Sequence, residues 1–151
     1  MKFIDDYEIV GRAFFEPQWD ESVKRPSPGV FVQNNTSVTR RKELTEEELI
    51  RILKSDVEND RVTVRAVGLI SVEGIKVIGQ ESQPEKIFFE VTEDPTVNNP
   101  NHGEIIPFQD EEKLKPRQKV PRGVSRKIGQ SLSMLILETS GNIIERIPPE
   151  Q

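Results

Sequence analysis

The chain has 151 residues, 34% hydrophobic and 31% charged, long enough to bury a core without covalent staples and apolar enough in places to argue against wholesale disorder. It contains no cysteine, which excludes disulfides, thiolate nucleophiles, cysteine-ligated zinc and iron–sulfur clusters. The formal charge of −5 is unevenly placed: residues 1–112 carry −10, residues 113–127 carry +7 and residues 128–151 carry −2.

One domain spanning 1–151 is expected at this length. The opening MKFIDDYEIV has no basic stretch leading into an apolar one, and no apolar run approaches the ~20 residues of a membrane span. The expectation is a soluble, cytoplasmic protein with no membrane partner. The overlapping sequons at Asn34 and Asn35 read as turn composition.

Residues 7–15, YEIVGRAFF, alternate so that Ile9, Gly11 and Ala13 share one face while Val10, Arg12 and Phe14 share the other, the pattern of a strand. Pro17, Pro26, Pro28 and Gly29 then punctuate a loop, with Trp19 as a hydrophobic plug folding it onto the sheet, and VFVQ at 30–33 reads as a second strand. TEEELIRILKSDVE predicts a helix over 45–58. Thr45 and Glu48 make a capping box, Leu44 and Leu49 a hydrophobic staple, and Leu49, Ile50, Ile52, Leu53 and Val57 one apolar stripe.

DRVTVRAVGLISVEGIKVIGQ reads as a hairpin, a long strand turning at Glu73-Gly74 into a second strand at 75–78. KIFFEVTE at 86–93 is a further strand. Residues 93–126 then form a long polar loop with five prolines, pinned only by Ile105, Ile106 and Phe108, in an edge strand interrupted by Pro107. The last apolar segment fits a hairpin around Ser140-Gly141-Asn142; a helix over 122–130 followed by a strand also satisfies the pattern. The fold expected is α+β, mainly an antiparallel sheet or small barrel of about six or seven strands, with one capped helix near 45–58 packed against it.

No glycine-rich phosphate loop, dinucleotide fingerprint, nucleophile elbow or calcium loop is present. No cofactor is implied. His102, in NNPNHGE, paired with Glu104 is chemically suited to general acid–base cleavage of a phosphodiester, with cations after Pro116 stabilising the charge that develops. A solvated turn histidine is the competing reading. A metal held by Asp94, Asn98, His102 and Glu104 is under-supplied with nitrogen ligands and is not expected.

The segment KLKPRQKVPRGVSRK, 113–127, is the main functional signal. Arg117, Arg122, Gly123, Arg126 and Lys127 make a candidate anion site, with Gly123 letting a backbone N–H approach the ligand at a helix start. The segment has no aromatic side chain for base stacking and follows Asp110-Glu111-Glu112, which disfavours nucleic acid and leaves a self-neutralised loop as the bland alternative. Arg40-Arg41-Lys42 could converge on the same anion. The leading expectation is therefore a non-catalytic binding or adaptor protein that engages an anionic ligand, a nucleotide or phosphorylated group, or an acidic protein partner. A metal-independent phosphodiesterase or nuclease using His102 and Glu104 is the runner-up, and a subunit of a larger assembly the third.

Overall fold

A computed structural model describes residues 2–150 of the chain. Along it run β1 (Ile9–Phe14), β2 (Trp19–Asp20), β3 (Arg25–Pro26), β4 (Thr36–Arg40), α1 (Glu46–Val57), β5 (Ala66–Ser71), α2 (Val72–Gln80), β6 (Phe88–Glu93), β7 (His102–Phe108), α3 (Arg122–Gln130), β8 (Ser133–Leu137) and β9 (Ile143–Ile147). β2 and β3 form a two-stranded ribbon. The other seven strands make one antiparallel sheet, ordered β6-β7-β4-β1-β5-β8-β9. The fold is α+β, and the sheet is open, with β6 and β9 at its edges, rather than closed into a barrel.

α1 starts where its cap places it. The Thr45 hydroxyl accepts from the Glu48 amide and the Glu48 carboxylate accepts from the Thr45 amide, so two otherwise unpaired donors are satisfied. The helix buries Leu49, Ile50 and Leu53 against Ala13, Val67, Leu135 and Leu137 on one face of the sheet. The opposite face carries the larger core, where Ile75 and Ile78 of α2, Val124 and Ile128 of α3, and Trp19 and Phe31 of the 15–35 loop meet Val10, Phe14, Met134 and Ile136. Trp19 is the expected plug: it is 4% exposed and stacked 6.5 Å from the Phe14 ring.

Four expectations are corrected. The segment after Ser71 is a helix, not the return strand of a hairpin, because the Ser71 hydroxyl caps it by accepting from the Gly74 amide at 3.0 Å. Its buried residues, Val72, Ile75, Ile78 and Gly79, recur with helical spacing. Residues 30–33 form a turn that buries Phe31 and lends the Val32 carbonyl to the Val120 amide; the strand lies further on, at Thr36–Arg40, and takes in Thr36 and Ser37, residues read as turn composition.

Residues 93–126 are not one loop. β7 crosses them as an interior strand between β6 and β4, not an edge strand. Pro107 is tolerated there because β4 pairs with β7 only as far as Ile105, so no neighbour on that side asks for its missing N–H. The chain instead folds back, and the Arg117 amide donates to the Pro107 carbonyl. At the C-terminal end both readings of the sequence hold in part: α3 occupies 122–130, and β8 and β9 form the hairpin, with Gly141 at φ +97° in the turn.

Candidate functional site

Two regions concentrate chemistry. The first is the basic segment, whose early half is fixed by its own polar groups. The Asp110 carboxylate accepts from the Leu114 and Lys115 amides, which holds the carboxyl below the usual carboxylate range against the opposing effect of burial. Lys113 pairs with Glu90, a 4%-exposed carboxylate that Lys76 also reaches, and Arg117 pairs with Glu85 at 2.8 Å.

Lys115, Lys119, Arg122, Arg126 and Lys127 are exposed, and none meets a carboxylate within 4.0 Å among the described residues. Arg122 and Arg126, four apart, share a face of α3. The Arg122 guanidinium lies over Gly29, its Nη1 3.2 Å from where a β-carbon would stand. Gly123 is exposed with nothing within 4 Å of such a carbon, so it serves no close packing. The Val124 and Ser125 amides both donate to the Pro121 carbonyl, which uses donors that a phosphate at this helix start would need.

Arg40 does not join this group. It is forked onto Glu8 at 2.8 and 2.9 Å and reaches Glu93 at 3.3 Å; these bonds hold the Glu8 carboxyl below its ordinary range and raise the guanidinium. Arg41 donates to the Leu44 carbonyl, and meets Lys127 only as a fellow lining residue of a wide groove that Glu73 and Glu81 also line.

The second region lies where the sheet splits. β1 pairs with β5 along its whole length but with β4 only at Val10–Arg40 and Gly11–Thr39. Beyond that point the Arg12 side chain fills the gap, donating from Nη1 to the Ser37 carbonyl at 2.7 Å. Its Nε is buried without a partner, and no carboxylate lies within 4.0 Å of it among the described residues. Burial pulls its pKa well below the ordinary guanidinium value, to about 10. Arg12 lines two cavities, of about 410 and about 350 Å³.

The larger cavity holds His102, Asp56 and Asn98. His102 Nδ1 lies 2.8 Å from the Asp94 carbonyl and 3.2 Å from its carboxylate. A carbonyl only accepts, so Nδ1 carries the proton in the neutral ring and Nε2 is the acceptor. The residue that orients His102 is thus Asp94, not Glu104, whose carboxylate accepts from the Asn35 amide at 3.2 Å. Asn99, fully buried, donates to Thr39 Oγ1 and to the Asp56 carboxylate and ties the 94–101 loop to β4 and α1. No group of three or more His, Asp or Glu able to hold a metal ion occurs among the described residues.

Arg12 is the residue that sequence reasoning passed over, and Asp94, weighed there only as a metal ligand, is the partner of His102. Arg12 had a usable signal: it is the one charged residue on the Val10–Phe14 face of a strand whose neighbours on that face are core. No protein-family model, curated protein or solved structure matches the chain. No helix among the described residues is long and apolar enough to cross a membrane.

Proposed function

We propose that this chain is a non-catalytic binding protein, an adaptor that docks an acidic protein surface on the basic face running from Lys115 through α3. The supporting observation is that five cations, Lys115, Lys119, Arg122, Arg126 and Lys127, stand exposed with no carboxylate within 4.0 Å among the described residues of a chain of net charge −5. Arg40, Lys54, Lys76 and Arg146 outside the segment, and Lys113 and Arg117 within it, are engaged by the protein's own carboxylates, while Lys42, Arg51, Arg61 and Lys86, also exposed without such a partner among the described residues, are spread along the chain rather than clustered. Lys113 and Arg117 anchor the segment, so less ordering entropy opposes binding than for a free arm. A protein surface fits better than nucleic acid, since residues 113–127 include no aromatic platform and the rest of the chain repels a long polyanion. A nucleotide or phosphorylated group held by the same cations is the small-ligand form of this reading, and a permanent subunit role its constitutive form. The cytoplasm is the location it supposes.

The test is a titration with a polyglutamate peptide and, separately, a single-stranded oligonucleotide. Polyglutamate should bind in low salt, weaken as salt screens the contacts, and be lost in Arg122→Glu/Arg126→Glu at unchanged melting temperature. Tighter binding of the oligonucleotide would transfer the face to nucleic acid. No binding of either makes the segment a solvated one.

A second reading is favoured by the Asp94–His102 pair: a metal-independent phosphodiesterase with His102 as general base. Hydrolysis of an activated phosphodiester abolished by His102→Ala would establish it, and equal background rates in wild type and mutant would dismiss it.

A further inference from the structure

We propose that the smaller cavity beneath the 16–35 loop is a binding site for a small oxyanion, a carboxylate or a phosphate, with Arg12 as its cation. The inference does not rest on the docking role above; it rests on a half-buried cation that faces no carboxylate within 4.0 Å among the described residues and whose Nε is buried without a partner. A guanidinium carries five N–H donors in a fixed fork. The protein supplies Arg12 with one acceptor, the Ser37 carbonyl, and leaves Nε buried and unpaired. A buried charge without a counter-charge or full hydrogen bonding is costly, and an anion on the fork removes that cost.

The lining fits the same ligand. Besides Arg12, its polar side chains are those of Gln18, Ser27, Gln33, Asn35, Thr36 and Ser37, amides and hydroxyls, with no carboxylate among the lining residues of a chain that has 26 acidic residues. Gln18 Oε1 is also buried without a partner. A hydroxyl or protonated oxygen of the ligand would donate to it, and a half-turn of the amide presents its NH₂ instead. Gly29 contributes to the wall, and the Arg122 guanidinium lies against that glycine, its Nη1 3.2 Å from where a β-carbon would stand, without itself lining the cavity. Glu104 is the counterweight: it reaches the rim through Asn35, without meeting Arg12. The volume, about 350 Å³, lies at the small end of ligand clefts, which limits the ligand to a compact acid.

The test observes Arg12 directly. In ¹⁵N-labelled protein the Arg12 Nε–H signal is followed while inorganic phosphate, and separately acetate, is added at constant ionic strength against chloride. The expected result is a saturable shift with Kd at or below about 1 mM for one of the two anions, which also distinguishes phosphate from carboxylate. Arg12→Lys, which keeps the charge but not the fork, should weaken that binding about tenfold or more and leave polyglutamate binding unchanged. Gln18→Glu supplies the missing carboxylate within the same cavity, so it should raise the melting temperature and abolish anion binding; this variant keeps the test decisive if Arg12→Lys fails to fold. A linear, unsaturated drift of the signal for both anions, identical in Gln18→Glu, would overturn the proposal and leave Arg12 as a structural plug in the split sheet.

Discussion

Arg12 Nη1 donates to the Ser37 carbonyl at 2.7 Å across the gap where β1 and β4 part, so a side chain takes over from the backbone ladder that ends at Gly11 and Thr39. Two effects oppose each other when it is removed. Arg12→Met relieves a half-buried charge whose Nε is unpaired but strands the Ser37 carbonyl, so stability should stay within about 1 kcal/mol of wild type by denaturant unfolding. A loss above about 3 kcal/mol would mean the hydrogen bond outweighs desolvation. The pH dependence has a definite sign. With the folded-state pKa lowered to about 10, the unfolded chain binds the extra proton only between that value and the higher ordinary guanidinium value, where stability rises with pH. From about pH 5 to about pH 9 the difference between wild type and Arg12→Met should therefore be flat.

Thr45→Ala removes one half of the reciprocal cap at the start of α1. The cost should be about 1 kcal/mol, read as a lower denaturation midpoint with an unchanged slope. An unaltered midpoint would show that tertiary packing of Leu49 and Leu53 alone sets this helix start.

How far the sequence could be read follows from the range of the forces involved. α1, β1, β6 and the β8–β9 hairpin were legible because caps, alternation and the Gly141 turn are local signals. α2 was not, since Ile75, Val77 and Ile78 suit either period and Gly74 mimics a turn; the Ser71 cap was the overlooked cue. β4 is a polar strand that gave no local signal and β7 was legible only as an edge strand around Ile105–Phe108; the interior place of both comes from partners far along the chain, which no local pattern records. For the site, charge density marked Arg122 and Arg126, but the pairing of Lys113 and Arg117 with distant acids, and the isolation of Arg12, exist only in three dimensions.

Glu8 and Arg40 should leave a mark on acid unfolding. The fork from Arg40 holds the Glu8 carboxyl below its ordinary 4.5, so this pair's stabilisation is complete above that value and is lost as pH falls through the lowered folded-state pKa. Arg40→Met should flatten the acid limb of the stability profile relative to wild type. Parallel acid limbs would assign the shift to other carboxylates.

Asn99→Ala leaves Thr39 and Asp56 without their shared donor at a fully buried position. A loss of about 1–3 kcal/mol is expected, with faster amide exchange concentrated in 94–101. Exchange unchanged in that loop would show that the backbone hydrogen bonds between Thr96 and residue 99 and the His102–Asp94 contact hold it unaided.

The docking role itself is tested most directly by mapping where a polyglutamate peptide touches the ¹⁵N-labelled protein. Amide shifts confined to Lys115–Lys127, and reversed by added salt, are the predicted result. Shifts scattered over the surface, or centred on Arg41 and the groove it lines, would contradict the assignment of the acidic partner to the α3 face.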